Sequence, residues 1–333
     1  MLRAYPSRPS RRGGAWSTIL AITAAVFLSG CAAPSVTNGA IDERPLVTPW
    51  RTLAGAPLNS NAHTVFGALP GARPLGFLNW ISPVAVAGRS GFLYVVDGGR
   101  NQIFRYGLTT QEMSPFLGIA SGSVRSIAVA PDLSLYVADI NSHQVSHYAV
   151  NGKLLRTFEK SHDLARPVAI VLDDRTGELL VADGLYNHVV VFNSLGHVVS
   201  ILKSLETRGI DAMSAGPDGL YLLDRLGQQV VVMGRDGKDR YMIGTESLRD
   251  ASAIAVDGFN RVFVASGFDN TITVYEQGNM VASFGGTGAT LASFNRISGL
   301  WLDQNMLYVA DSANARVLTF RVTLPTKRGE VHE

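Results

Sequence analysis

The stretch LYVADSANARVLTF at residues 307–320 recurs five more times upstream with the same internal spacing. In each copy an apolar run ends at an acidic residue or serine, a polar turn follows, and a second apolar run ends in an aromatic residue or methionine. The first of these positions is occupied by Asp97, Asp139, Asp183, Asp224, Ser266 and Asp311, in steps of 41 to 45 residues. Six copies in register predict six copies of one structural unit.

Each copy contains four strand-like runs. In the second copy they are RSIAVA, SLYVAD, QVSHYAV and LLRTFEK, and the turn residues Pro131-Asp132 and Asn151-Gly152 follow the first and third. A period of this length with four strands per copy is typical of a β-propeller. We therefore predict an all-β fold, a six-bladed β-propeller over residues 63–325, followed by a tail at 326–333.

The last blade needs a strand from elsewhere, because the sixth copy has no fourth strand of its own. The segment Thr64–Gly71 (TVFGALPG) resembles the fourth strand of the fifth copy, with Phe66-Gly67 matching Phe284-Gly285. We predict that this N-terminal strand completes the last blade and closes the ring, which hides both free edges.

The chain begins with the features of an export signal. Four arginines precede an apolar run at Thr18–Leu28, which is shorter than the roughly 20 residues needed to cross a bilayer. The run leads into LSGC, which ends in the only cysteine, Cys31. We predict a signal peptide at 1–30. The alternative is an ordinary secretory signal with an incidental cysteine at position 31.

The sequence LSGC resembles the lipobox of bacterial lipoproteins. This resemblance implies a diacylglycerol on the Cys31 thiol, cleavage before Cys31, and fatty acylation such as palmitate on its amine. Several acyl chains on one residue make a stable anchor. Ala32 in place of an aspartate is similar to the signal for export to the outer membrane. We therefore expect a lipid-anchored envelope protein that faces the periplasm or the cell surface.

Residues 31–62 are rich in Pro, Ala, Ser, Asn and Gly without sustained periodicity, which predicts a linker. Leu46 and Trp50 offer an alternative, in which part of this segment folds back onto the propeller.

The repeats themselves resemble the NHL-repeat family, whose blades carry LYVAD, a turn, N-x-R-V and an aromatic residue. The last copy keeps the fuller form, with Asn314 and Arg316. The resemblance implies a six-bladed propeller and leaves the function open, since propellers host many unrelated activities.

The repeated aspartates are predicted to be structural. A carboxylate between the second and third strands suits backbone N–H groups of the turn, and one such residue per blade argues against a single catalytic site. Ser266 accepts fewer such bonds, so its turn is expected to be the weakest.

Some six-bladed propellers are enzymes, among them gluconolactonase- and paraoxonase-like lactonases, amidating lyases and streptogramin lyases. Resemblance to them implies a metal in the central channel, held by acids, amides or histidines. Here the predicted channel strands lack His, Glu and Asn, and the seven histidines show no metal-binding spacing. We therefore predict neither a metal nor another cofactor. The alternative function, a hydrolase or lyase, has Asp211, Asp250 and Asp257 as its polar core.

The loop leading into each predicted inner strand carries an arginine in five copies, with Trp80 in the first. These arginines are Arg125, Arg166, Arg208, Arg249 and Arg296. Arg125 and Arg166 share one register in this comparison. We predict that the arginines surround the channel mouth and bind an anionic ligand or a partner's acidic loop. The alternative is that they are solvated and paired locally, with Asp211 and Asp250 cancelling part of their charge.

The formal charge of +2 comes mostly from the signal, because the chain without it has 25 basic and 27 acidic residues. A near-neutral surface argues against nucleic acid as a partner. The sequence thus predicts a monomeric propeller that acts as a non-catalytic binding or scaffold module and engages an envelope protein or an anionic ligand.

Overall fold

The computed structural model describes residues 45–58, 76–158 and 163–324. The strands preceding the first full blade are β1 (Val47–Leu53), β2 (Gly55–Pro57) and β3 (Phe77–Asn79). Blade 1 contains β4 (Pro83–Arg89), β5 (Phe92–Asp97), β6 (Gln102–Gly107) and β7 (Met113–Gly118). Blade 2 contains β8 (Val124–Val129), β9 (Leu135–Asp139), β10 (Gln144–Tyr148) and β11 (Leu154–Phe158). Blade 3 contains β12 (Pro167–Asp173), β13 (Glu178–Asp183), β14 (His188–Phe192) and β15 (Val198–Leu202).

Blade 4 contains β16 (Ile210–Gly216), β17 (Gly219–Asp224), β18 (Gln229–Met233) and β19 (Asp239–Ile243). Blade 5 contains β20 (Ala251–Val256), β21 (Val262–Ser266), β22 (Thr271–Glu276) and β23 (Asn279–Gly285). Blade 6 contains β24 (Ile297–Asp303), β25 (Met306–Asp311) and β26 (Arg316–Val322), with β1 as its fourth strand. The predicted all-β, six-bladed propeller is confirmed.

The hydrophobic core lies between neighbouring blades. Every residue of β17 and β18 is buried, because these middle strands are covered on both faces. The outer strand β15 is exposed along most of its length. Between blades 5 and 6, Phe294 and Phe320 pack with their ring centroids 5.7 Å apart. Full burial of one such side chain stabilises by about 1.5–3 kcal/mol, so the ring is held together by its interblade contacts.

An N-terminal strand closes the ring, as predicted, but it is β1. This strand pairs antiparallel with β26, from Val47 opposite Val322 to Leu53 opposite Val317. It falls within the predicted linker, and the alternative in which Leu46 and Trp50 fold back is the one observed: Leu46 packs on the core and Trp50 lies 3.4 Å from the Arg321 guanidinium. The segment proposed for this role, Thr64–Gly71, lies outside the described residues, as do Cys31, the signal and the tail.

The repeated aspartates accept hydrogen bonds from backbone N–H groups, as predicted. Asp97 accepts hydrogen bonds from Gly99 and Arg100 in its own turn, and also from Ile81 and Ser82 at 2.9 Å each. The second pair belongs to the segment leading into the inner strand of the same blade, which we call the lead-in loop. Asp183 and Asp224 do the same in blades 3 and 4. Ser266 accepts one turn amide, from Phe268.

A second repeated position lies four residues after the repeated aspartate or serine of each blade. Its members adopt left-handed backbone with φ between 53° and 58°, and they are Asn101, His143, Asn187, Gln228, Asn270 and Ala315. Asn187 donates to the Thr207 carbonyl at 2.7 Å and accepts from Ile210 N–H at 3.1 Å. Both partners belong to the next blade. The side chains of His143, Asn187 and Asn270 therefore connect their turns to the neighbouring lead-in loop, a function that the sequence did not reveal.

Candidate functional site

The central channel contains a cavity of about 760 Å³, lined by the six inner strands. At the end where these strands finish, Trp301 of blade 6 lies against Gly88 of blade 1, so closely that a Cβ on this glycine would be 2.7 Å from the indole. At the same end Arg89 forms an ion pair with Asp174, which joins the non-adjacent blades 1 and 3. We call this the far end and the opposite one, bordered by the lead-in loops, the mouth.

One residue per blade lines the cavity at a β-bulge near the mouth. In every inner strand the pairing register shifts one residue after the position opposite the repeated aspartate or serine. The extra residue is left unpaired, and a bulge commonly redirects a side chain in this way. The six residues, which we call the bulge ring, are Val84, Arg125, Val168, Asp211, Ser252 and Ser298, and all six line the cavity.

The bulge ring is chemically asymmetric. It carries one cation, Arg125 in blade 2, and one acid, Asp211 in blade 4, with Val168 of blade 3 between them. Blades 5 and 6 contribute the hydroxyl groups of Ser252 and Ser298. The mouth therefore presents opposite charges on different blades.

Arg225 connects two carboxylates at the mouth. It comes from the turn after β17 and lies 2.8 Å from Asp250 and 3.9 Å from Asp211. Asp250 has a left-handed backbone, with φ of 48°, and lies against Gly267, where a Cβ would be 2.7 Å from its Oδ2. The glycine thus leaves room for this carboxylate beside the cavity.

Of the five predicted arginines, the structure brings two to the cavity, Arg125 and Arg296. The other three, Arg166, Arg208 and Arg249, are exposed on their lead-in loops and do not line it. In the first blade, Trp80 is buried against Phe104 instead of lying at the mouth. The sequence therefore predicted part of the ring of cations and missed Arg225.

Arg125 and Arg166 are not equivalent, contrary to the sequence comparison. Val124 pairs with Asp139 and Arg125 follows it as the bulged residue, whereas Arg166 precedes Pro167, which pairs with Asp183. Within the described ranges none of the five arginines forms an ion pair, and Asp211 and Asp250 pair with Arg225. Of the alternative weighed, the structure thus shows the solvent exposure of these arginines but, among the described residues, no local ion pair.

Asp257 does not join the other two candidate acids. It is buried at the far end of β20, in an ion pair with Arg261 at 2.6 Å, and Arg261 also donates to the Thr323 carbonyl. Asp250 stands before the first residue of the same strand, and a strand rises about 3.3 Å per residue. The three acids therefore do not form one polar core.

The histidines of the described ranges serve the blades rather than the channel. His143 contacts the Ala165 carbonyl, His188 contacts that of Asp163 at 2.7 Å, and His147 contacts the Ser134 hydroxyl at 2.7 Å. No histidine lines the cavity among these residues. The described part of the chain also holds no group of three or more His, Cys, Asp or Glu placed to bind a metal. In the same ranges, no helix has the length and apolar character of a transmembrane segment.

Comparison with known proteins identifies the fold alone. No protein-family model matches the chain, and no curated protein sequence shows significant similarity to it. Among solved structures, a streptogramin B lyase has a TM-score of 0.54 and 14% identity, over 72% of this chain and 78% of that one. A catalytically inactive virginiamycin B lyase from Staphylococcus aureus with quinupristin gives 0.56 and 10%, over 73% and 95%. Kuenenia stuttgartiensis hydrazine synthase gives 0.56 and 13%, over 78% and 100%.

Proposed function

We propose that the protein is a lipid-anchored binding module of the bacterial envelope, which holds a ligand or partner at the channel mouth without converting it. The observation that carries this proposal is the bulge ring with its charged neighbours. It presents Arg125, Asp211, Asp250 and Arg296 at one opening, yet within the described ranges no hydrogen bond joins a serine hydroxyl of the cavity to a carboxylate. Such a site can bind and orient, whereas acyl or proton transfer needs an activated pair.

The described part of the chain begins at the far end of the propeller, opposite the mouth. Pro45 accepts a hydrogen bond from the Thr323 hydroxyl, and Val322 N–H donates to Asn305, in the turn between β24 and β25. These contacts put the start of the described chain at the far end.

The alternative, a hydrolase or lyase with a metal in the channel, is favoured by likeness in fold to the lyases. One of those structures is named as inactive after a histidine was replaced by alanine. Among the described residues here, no histidine reaches the cavity. The donor set at the mouth is instead a shared guanidinium between two carboxylates, which suits ionic recognition.

Site-specific photocrosslinking in cells tests the proposal. A photoreactive residue replaces Asn295, which lines the mouth, or Lys238, an exposed residue in the turn between β18 and β19 at the far end. We expect discrete adducts at position 295 and none at 238. Equal adducts at both positions, or none at either, would contradict a binding function for the mouth. A matched pair with Arg125→Gln in the background of position 295 shows whether the adducts depend on the bulge ring.

A further inference from the structure

We propose that the mouth recognises a zwitterion, such as a free amino acid or a short peptide with both termini charged. Arg125 binds the carboxylate, and Asp211 with Asp250 binds the ammonium group. This inference rests on the proposed binding function and specifies the chemistry of what is bound.

On the acidic side of the mouth, carboxylates outnumber the guanidinium group that pairs with them. Two carboxylates, on Asp211 and Asp250, share the single guanidinium of Arg225, which leaves one negative charge uncompensated. The Arg225 side chain is 54% exposed, whereas that of Asp211 is only 18% exposed. An ammonium group can approach Asp211 beside this half-exposed guanidinium, and its attraction to the acid is stronger where water is partly excluded.

The basic side lacks a partner. Arg125 is exposed at its bulge and forms no ion pair within the described ranges, and Arg296 lines the same cavity with a left-handed backbone, φ 64°. A guanidinium binds a carboxylate through two parallel hydrogen bonds. Arg125 on blade 2 therefore offers anion recognition two blades away from Asp211, whereas Arg296 on blade 6 adjoins the blade of Asp250.

The order of the ring favours one ligand that carries both charges. Val168 lies between Arg125 and Asp211 in ring order, so no ionic side chain of the bulge ring separates the two charged arms. A simple anion gains Arg125 and Arg296 but leaves Asp211 and Asp250 with Arg225 as their one ion-pair partner among the described residues. A metal ion must compete with Arg225 for the two carboxylates. A zwitterion satisfies both arms at once, and its backbone amides can meet the free edges of the inner strands.

Three peptides of equal length test the inference on the purified full chain in detergent. Triglycine has both charges, N-acetyl-triglycine lacks the ammonium group, and triglycine amide lacks the carboxylate. By isothermal titration we expect triglycine to bind at least about tenfold more tightly than either blocked form. Glycine and diglycine, measured alongside, report the span between the two arms, since each residue extends a chain by about 3.3–3.6 Å.

Substitutions assign the two arms separately. Arg125→Gln is expected to lower the affinity for triglycine to that of the amide and to leave the affinity for the amide unchanged. Asp211→Asn is expected to lower it to that of the acetylated peptide. Arg166→Gln is the control, because Arg166 is exposed on a lead-in loop but lies outside the cavity, and it should change nothing.

Equal affinity for the three peptides, or no saturable binding of triglycine, overturns the inference. If the photocrosslinked adducts at position 295 persist in that case, the binding function stands and only the ligand class is wrong. If the adducts are absent as well, both proposals fail.

Discussion

Arg316 and Asp311 form a buried ion pair of 2.7 Å in the last blade, and the same guanidinium holds the lead-in loop of that blade. It donates to the carbonyl oxygens of Ala289, Thr290 and Ser293 at 2.7 to 2.9 Å. Four backbone and side-chain acceptors thus converge on one cation. The pair also explains why the sixth copy keeps the fuller repeat motif, because its lead-in loop is held at several carbonyls.

Replacing Arg316 is expected to lower the free energy of unfolding by an amount that depends on which of its contacts the new side chain keeps. Arg316→Met leaves Asp311 buried without its counterion, which typically costs about 3–5 kcal/mol. Arg316→Gln is expected to cost less, because glutamine occupies this position in other blades, where Gln229 donates to the Glu206 carbonyl at 3.0 Å. Denaturant unfolding of both variants measures the difference. Equal losses of unfolding free energy in the two variants would show that the charge of Arg316, and not its contact with the loop, accounts for its stabilising effect.

His147 gives the propeller a predictable pH dependence. Its ring stacks on Tyr136 with centroids 4.0 Å apart, and burial lowers the pKa of His147 below its ordinary value of 6.5. The unfolded chain therefore binds a proton more readily, so the free energy of unfolding is unaffected above about pH 6.5 and decreases as the pH falls below it. We expect His147→Gln, which can still donate to Ser134, to lose less stability than the parent between pH 7.5 and 5.0.

Urea midpoints at the two pH values provide the measurement for His147. Asp132, which also approaches this histidine, has a pKa lowered first of all by the Ser134 hydroxyl. Its contribution is present above its unfolded pKa and is lost only at more acidic pH, outside this window. Identical pH slopes for the parent and His147→Gln would contradict the prediction.

Removing β1 should destabilise the entire ring. Deletion of Val47–Leu53 exposes the edge of β26 and removes the buried side chain of Leu53. We expect a clearly lower melting temperature, together with faster proteolysis of blade 6. Deletion of residues 32–43, which stops short of β1, is the control and should leave the melting temperature unchanged. A β1 deletion that melts like the parent would show that the ring is stable without its closure.

Ala315 is an alanine in a left-handed position, with φ of 54°. Such a backbone strains any residue with a Cβ and costs glycine much less. Ala315→Gly should therefore stabilise the protein by about 0.5–1 kcal/mol. Ala313→Gly, in the same turn but without a positive φ, is the matched control and should be neutral or destabilising. The melting temperatures of the two variants provide the measurement. A lower melting temperature in both would mean that the greater chain entropy of unfolded glycine outweighs the relief of backbone strain.

The lipid anchor is tested apart from the propeller. Cys31→Ser should abolish incorporation of labelled palmitate and leave a longer precursor. Equal labelling of the variant and the parent would contradict the proposed lipidation and would leave the fold and the channel mouth unaffected.

The repeat predicted the fold because buried middle strands impose a strict pattern. The residues of β17 and β18 must be apolar on both faces, so their copies are recognisable across the whole chain. Outer strands bury one face only, and β1, which includes Pro49 and Trp50, has no such pattern. The likeness of Phe66-Gly67 to Phe284-Gly285 therefore indicated a different segment for closure.

The bulge ring escaped prediction for a geometric reason. The turn between the first and second strands covers residues 90–91 in blade 1 but 130–134 in blade 2, so distances counted from the repeated aspartate do not stay in register. Arg125 and Arg166 seemed equivalent because each stands directly before the run read as its inner strand, but they occupy different positions in the pairing. Counting back from the aspartate through each hairpin, rather than along the chain, places Arg125 and Asp211 in the same ring.

The closure by β1 also sets an order of events during folding. Thr319 of β26 donates to the Arg51 carbonyl across 268 residues of chain, so the first described strand, β1, can pair only after the last has formed. Until blade 6 is in place, β1 has no partner and the ring is open. Protease resistance during refolding of the purified chain should consequently appear in a single late step, and a chain truncated within blade 6 should be degraded although five of its blades are complete.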